Sequence, residues 1–259
     1  MKEVHAAARE GFAAEAPTYA RGRPDYPVAL QRWLDEALAL GPGKVAIDLG
    51  AGTGKFTRLL LATGVQVTAV EPVAEMRAQF AAKFPGVPAL DGTAQAIPLP
   101  DACADAVVCA QAFHWFATAA ALAEIHRVLK PAGRLGLVWN VRDEAVDWVA
   151  AITALITPYE GDTPRFYKGT WRQAFDGILF SALEETITPY QHVGPPEEVI
   201  MDRFLSVSFI AVLPEPEKAR VAARLRALID THPALRGRAT IAFPYQTRAY
   251  CCRPLPAAT

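Results

Sequence analysis

Cysteine, net charge and long apolar runs are all scarce in this chain, and each scarcity removes a class of function. Four cysteines occur in 259 residues, Cys103, Cys109, Cys251 and Cys252. None stands at a zinc-ligand spacing. Cys251 and Cys252 are adjacent, so a strand would turn them to opposite faces, and reduced buried thiols of a cytoplasmic protein are the expectation. No apolar stretch approaches the roughly 20 residues of a membrane span. The opening Met1-Lys2-Glu3-Val4-His5 lacks the charged-then-apolar layout of a secretory signal. The 26 Lys and Arg nearly balance the 27 Asp and Glu, giving a formal charge of −1. That balance lacks the basic footprint of a nucleic-acid binder. No internal repeat or low-complexity tract is visible beyond alanine richness. What the chain does have is apolar residues, 52% of the total, enough at this length for one large core.

The most informative stretch is Asp48-Leu49-Gly50-Ala51-Gly52-Thr53-Gly54. It follows Val45-Ala46-Ile47, which reads as a buried strand, and precedes Lys55 to Leu61, which reads as a helix start. Three alternate glycines at a strand-to-helix turn let the backbone pass close to a ligand. Asp48 offers a carboxylate to a ligand amine or hydroxyl. Glu71 ends a second apolar strand, where an acid suits the two hydroxyls of a ribose. A phosphate-binding loop needs Gly-x-x-x-x-Gly-Lys-Ser/Thr, but Leu49 replaces its first glycine and Phe56 its hydroxyl. A dinucleotide fingerprint needs Gly-x-Gly-x-x-Gly, and Lys55 occupies its third place. Asp48 would repel a pyrophosphate, whereas a sulfonium amino-acid ligand tolerates it. A nucleoside cofactor is expected, with S-adenosylmethionine favoured over NAD or ATP.

Strand and helix alternate from 44 to 140. Strands are predicted at 44–49, 65–71, 89–90, 104–109 and 134–140. Helices are predicted at 28–40, 54–63, 72–84 and 115–129. Buried runs for strands imply a doubly wound parallel sheet. After Asn140 the alternation breaks. Residues 141–180 carry scattered aromatics and are expected to form a helical insertion over the carboxyl edge of the sheet. Further strands are predicted at 183–192 and 239–252, the last broken near Pro244, with helices at 197–206 and 214–231. The expected division is an N-terminal arm and cofactor-binding core over 1–140, a substrate cap over 141–180, and the rest of the sheet over 181–259.

Four segments resemble the motifs of class I S-adenosylmethionine-dependent methyltransferases: Val45 to Gly54, Val67 to Pro72, Gly92 to Leu99 running on to Asp105-Ala106-Val107-Val108, and Leu122 to Leu135. The resemblance implies a Rossmann-like seven-stranded α/β sheet, mostly parallel with the last strand antiparallel. Gln111-Ala112-Phe113-His114-Trp115-Phe116 and the arm Tyr19, Arg23, Pro24, Tyr26, Pro27 resemble the trans-aconitate methyltransferase-like small-molecule subgroup. On this resemblance Gly50, Ala51, Gly52 and Gly54 take the homocysteine part of S-adenosylmethionine and Asp48 faces its amino group. Glu71 holds the ribose, Pro72 and Val73 flank the adenine, and Thr93, Ala94 and Gln111 complete the pocket. Tyr19 and Arg23 close the arm over the ligand. Many relatives have Gly-Asp-Ala where this chain has Gly92-Thr93-Ala94, which shifts the adenine contact to Thr93 and nearby backbone.

Methyl transfer is an in-line displacement whose leaving group is a neutral thioether, so alignment and exclusion of water are the protein's main tasks. No metal is expected. A base is needed only for a nucleophile that is protonated at neutral pH. His114, just past the fourth strand, is the catalytic candidate, read either as that base or as pocket wall and substrate hydrogen-bonding group. Arg142, Arg165, Lys168 and Arg172 are candidates for an anionic substrate, though isolated basic residues are commonly solvated. The expected activity is methylation of a small molecule, with oxygen of a small organic acid favoured from the subgroup and S-adenosylhomocysteine as product. The alternatives are a lipid-like or quinone precursor as acceptor, and a fold that binds the cofactor without turnover. Nucleic-acid methylation would want an Asn-Pro-Pro-Tyr-like motif where Gln111-Ala112-Phe113-His114 stands.

Overall fold

A computed structural model describes residues 22–256. Seven strands form one sheet in the order β3-β2-β1-β4-β5-β7-β6, six parallel and the last antiparallel. The strands are β1 (Val45–Leu49), β2 (Gln66–Val70), β3 (Ala89–Leu90), β4 (Ala104–Ala110), β5 (Leu129–Arg142), β6 (Glu184–Gly194) and β7 (Ile241–Cys252). In β1, Ala46 through Leu49 are all buried, as a strand covered on both faces requires. The parallel register sets Asp48 beside Ala69 of β2 and Val108 of β4. The carboxyl ends of these three strands are therefore level, and the residues that follow them emerge along one edge. Among the described residues no helix is long and apolar enough to cross a membrane.

The chain forms two compact units. A sheet unit holds Tyr26–Trp139, Pro164–Thr188 and the chain from Thr247; a helical unit holds residues 22–25, Asn140–Thr163 and Pro189–Gln246. The stretch 141–180 is thus divided, its first part in the helical unit and its second in the sheet unit.

The sheet unit contains α1 (Leu30–Glu36), α2 (Thr57–Ala62), α3 (Ala74–Lys83) and α4 (Ala119–Val128). Its core includes Tyr26, Leu30, Trp33, Leu34, Phe56, Leu60 and Val67. The apolar spacing predicts a helix to residue 40, but α1 ends at Glu36. Beyond it the Leu38 and Leu40 amides reach back to Trp33 O and Leu34 O, and Ala39 turns left-handed at φ 52°. α2 begins at Thr57 rather than 54 because Gly54 has a φ of 81°, which no right-handed helix accommodates. Trp115 belongs to a separate 3-10 turn, and Thr118 caps α4 by accepting from the Ala121 amide at 3.2 Å. β5 starts at Leu129, before the expected Arg134. Ala104 pairs with Leu129 and Ala106 with Arg134, so Lys130 to Gly133 bulge out of the ladder.

The helical unit contains α5 (Asp147–Ile156), a π-helical turn over Glu197–Asp202 running into α6 (Arg203–Leu205), then α7 (Ser208–Ala211) and α8 (Glu215–Thr231). Trp148, Ile152, Phe204, Phe243 and Tyr245 are among its buried core. The single helix expected over 197–206 is this π turn and α6 together. β7 is not broken at Pro244. The Pro244 carbonyl accepts from the amide of Asp143 at 3.1 Å, just past the end of β5, where the ladder is already finishing and a missing N–H matters least.

Candidate cofactor and catalytic site

The cofactor candidates converge in the sheet unit. Gly50, Gly52 and Gly54 all have positive φ, at 72°, 56° and 81°, but for different reasons. A Cβ on Gly50 would stand 2.8 Å from the Ala112 Cβ, and one on Gly54 would land on the rings of Phe84 and Phe80. Those two glycines serve the protein's own packing. A Cβ on Gly52 would meet only the Met76 sulfur at 3.7 Å. The Gly52 side of the turn is therefore the open one, where a ligand can approach the backbone. Ala51 follows the same turn, its carbonyl accepting from the Gly54 amide at 2.9 Å.

Asp48 is 1% exposed. One carboxylate oxygen accepts from the Thr57 hydroxyl at 2.6 Å, and the other, Oδ1, has no hydrogen-bond partner among the described residues. Burial pushes its pKa up to about 7; the Thr57 bond opposes this and the neighbouring Glu71 charge adds to it. A buried carboxylate with one unmatched oxygen is a receptor for a cationic donor. Glu71 accepts from the Gly52 amide through Oε2 and from the Val73 amide through Oε1, each at 3.0 Å. Burial raises its pKa, while those two amides and then Arg77 pull it down. Each carboxylate oxygen has used one acceptor site, leaving capacity for two hydroxyls. Asp48, Glu71 and the glycine turn thus fit the ammonium and ribose of S-adenosylmethionine.

Pro72 lies between Glu71 and buried Val73, at the start of α3. Asp91 is turned to Arg77, with oxygens 3.0 and 3.2 Å from its guanidinium. Arg77 also donates to the Glu71 carbonyl at 2.7 Å and so ties Glu71 to the third-strand loop. In that loop Thr93 and Ala96 form an antiparallel bridge, and Ala94 is buried. A Cβ on Gly92 would meet Pro98 and the Val70 side chain, which sets the loop against the end of β2.

The fourth-strand loop meets the glycine turn through Ala112. Gln111 has φ 56° and donates its amide to Val138 O at 2.7 Å. A left-handed non-glycine residue at a strand end is a strained position of the kind found at functional sites. His114 sits in the turn Phe113–Trp115. Its Nδ1 accepts from the Trp139 indole N–H at 3.0 Å. Indole nitrogen only donates, so Nδ1 is bare and the ring proton of neutral His114 lies on Nε2.

The aromatics of the second part of the expected cap pack on one another. Trp171 lies 4.7 Å from Trp139 between centroids, Phe166 lies 4.9 Å from Trp139, and Phe175 lies 5.6 Å from Phe113. Arg172 stacks over Trp171 and Tyr250 at 4.5 and 4.9 Å. Arg23 belongs to the helical unit, and Tyr19 lies outside the described residues. Thr57 and Arg77 were not singled out in the sequence. Thr57 had a signal, a hydroxyl in the first turn after the glycines; Arg77 had none, being one of several charges on a helix.

Residues 47–137 match a family described as a methyltransferase domain. Over 95% of its length the chain is 38% identical to an uncharacterized methyltransferase-like protein of Schizosaccharomyces pombe, covering 96% of that protein. Over 46% of its length it is 35% identical to a malonyl-(acyl-carrier protein) O-methyltransferase of Serratia marcescens, covering 49% of that enzyme. A solved structure of a candidate type II methyltransferase from Anaeromyxobacter dehalogenans superposes with a TM-score of 0.64 at 23% identity, covering 90% of this chain and 97% of that one. That last likeness concerns the fold.

Proposed function

The chain belongs to the class I S-adenosylmethionine-dependent methyltransferases, and from that premise we propose that it methylates a carboxylate oxygen of a small organic acid. The bond from Trp139 to His114 Nδ1 carries this reading. A general base at Nε2 must be unprotonated there, which moves the ring proton to Nδ1 and breaks the Trp139 bond. His114 is thereby held as a donor. A site that offers a donor in place of a base suits a nucleophile already ionised at neutral pH, and a carboxylate is one. The O-methyltransferase named among the relatives supports the same acceptor chemistry.

Bound S-adenosylmethionine supplies the activated methyl. Asp48 takes its ammonium on Oδ1, the glycine turn at Gly52 admits its amino-acid part, and Glu71 holds the ribose hydroxyls. Pro72, Val73, Thr93, Ala94 and Gln111 bound the adenine and its approach, with Arg23 and Tyr19 assigned to the arm. His114 Nε2–H orients the acid through a hydrogen bond to the oxygen that does not attack.

The test is a panel of di- and tricarboxylates, phenols and amines, with methylated product and S-adenosylhomocysteine followed by mass spectrometry. A methyl ester from an acid, at a kcat flat between pH 6 and 9, is expected. Turnover confined to phenols or amines, with a rising pH limb, would overturn the reading.

A further inference from the structure

Among the described residues, the helical unit contains two buried arginines whose guanidinium groups carry N–H groups with no hydrogen-bond partner. Arg203 is 6% exposed and the Arg142 side chain 9%. Their guanidinium carbons lie 5.4 and 5.7 Å from the centroid of the same ring, that of Phe204. Nε and Nη1 of Arg203 and Nη1 of Arg142 are buried without a hydrogen-bond partner among the described residues. The hydroxyl of Tyr245, 2% exposed and electrostatically coupled to Arg142, is likewise unmatched. Burial, and then the Arg203 charge, pull the pKa of Arg142 down.

Among the described residues, two acids lie within electrostatic reach of Arg142. Glu144 approaches its Nε only to 3.9 Å and is half exposed. Glu160 is buried and acts on Arg142 through space. Burying a charge without a hydrogen-bonded partner is costly, and burying two of one sign within electrostatic reach of each other is costlier. Buried water would satisfy N–H groups but would not offset the charge. Planar guanidinium groups with free N–H vectors are matched by a carboxylate. Two further features mark the place as built. Arg203 follows directly on the π-helical turn over Glu197–Asp202, a device frequent at functional sites. The chain at Gly22 passes so close that a Cβ there would stand 2.5 Å from the Arg203 amide nitrogen.

We propose that Arg142, Arg203 and Tyr245 form a buried binding site for a carboxylate of a small organic anion. Arg142 and Arg203 share the carboxylate between their unmatched N–H groups, and Tyr245 donates to it. The proposal deepens the acid reading given above, on which it rests for the identity of the natural anion. The carboxylate belongs either to the methyl acceptor or to a separate small acid.

The probe is citrate, titrated by calorimetry and by thermal shift into the full chain, with S-adenosylhomocysteine titrated in parallel. Citrate binding that raises Tm is expected. Arg203→Met and Arg142→Met should each weaken it by about tenfold or more while leaving S-adenosylhomocysteine affinity unchanged. In citrate-free, low-salt buffer the same variants should melt higher than the native chain, because one of two like charges is gone. Arg203→Lys keeps the charge but loses the planar fork and serves if a Met variant does not fold; it should also bind citrate about tenfold more weakly. Normal S-adenosylhomocysteine binding with no citrate binding, or citrate binding indifferent to both arginines, overturns the site. Citrate binding without any ester formed from the acid panel leaves this site standing and overturns the acid reading instead. Where an ester is formed, citrate competing with the acid identifies the acceptor's own carboxylate as the occupant, and non-competitive citrate identifies a separate anion; both support the site.

Discussion

Asp48 is a buried carboxyl whose charge depends on its surroundings. Its carboxyl is buried, holds one hydroxyl bond, and has its pKa pushed up to about 7. A carboxyl raised in the folded chain binds protons there that the unfolded chain has released. Its contribution to stability is complete below the unfolded value of 3.8 and lost as pH rises toward about 7. Asp48→Asn should therefore match the native chain near pH 4 and exceed it at pH 8, by up to about 4 kcal/mol. Urea midpoints at the two pH values read this; parallel pH dependence in both proteins would remove the linkage. The same change should weaken S-adenosylmethionine binding by about 1.5–3 kcal/mol, the worth of a charged hydrogen bond. His114 gives the second prediction at this scale. His114→Phe should cost about 10- to 100-fold in kcat/KM, equivalent to ~1.5–3 kcal/mol, with the pH profile of kcat still flat. His114→Gln, which keeps a donor, should recover much of it. A native profile whose rising limb vanishes in His114→Gln would make the imidazole a base after all.

At the scale of elements, the glycine turn separates residues that were equivalent in the sequence. Gly54→Ala drives a methyl group into Phe84 and Phe80 and should destabilise by more than 2 kcal/mol or so. Gly52→Ala finds open space and should cost only about 1–2 kcal/mol for its left-handed φ. Its larger effect should be on S-adenosylmethionine affinity, because the methyl fills the ligand's side of the turn. Denaturation and calorimetry on the two variants distinguish them, and equal losses of stability would erase the distinction. The place and direction of the last strand came from the family resemblance, whereas β1, β2, β4 and β5 were legible as largely apolar runs, as buried parallel strands are written. Their ends were not. The start of β5 depends on Leu129 pairing across a bulge with Ala104, and the end of α1 on Ala39 turning left-handed. Both are set by distant partners and by single backbone angles, which leave no periodic trace. Asp48 was legible because it stands at a strand end just before the glycines, and Glu71 because it ends the next apolar strand. The Trp139 to His114 bond, 25 residues long in sequence, decides which nitrogen carries the proton, and no local pattern encodes it.

On the scale of the whole molecule, the two units divide the chemistry. The sheet unit carries the paired acids and the glycine turn; the helical unit carries the paired arginines. Cations buried in the one and anions buried in the other are each costly without a counterpart, and each is offset by a ligand of opposite sign. A ligand that binds only the folded state stabilises it by about 2.7 kcal/mol at a hundredfold excess over Kd, and the protection is greatest where it binds. Amide exchange followed by mass spectrometry should therefore give two different maps. S-adenosylhomocysteine should slow exchange at 45–54, 66–73 and 91–97, around Asp48, Glu71 and Thr93. Citrate should slow it at 140–146, 199–210 and 241–246, around Arg142, Arg203 and Tyr245. Identical maps for the two ligands would mean one shared site and defeat the division. Distinct maps, together with protection of both sets when the ligands are added jointly, would show that the charges buried in each unit are offset by separate ligands.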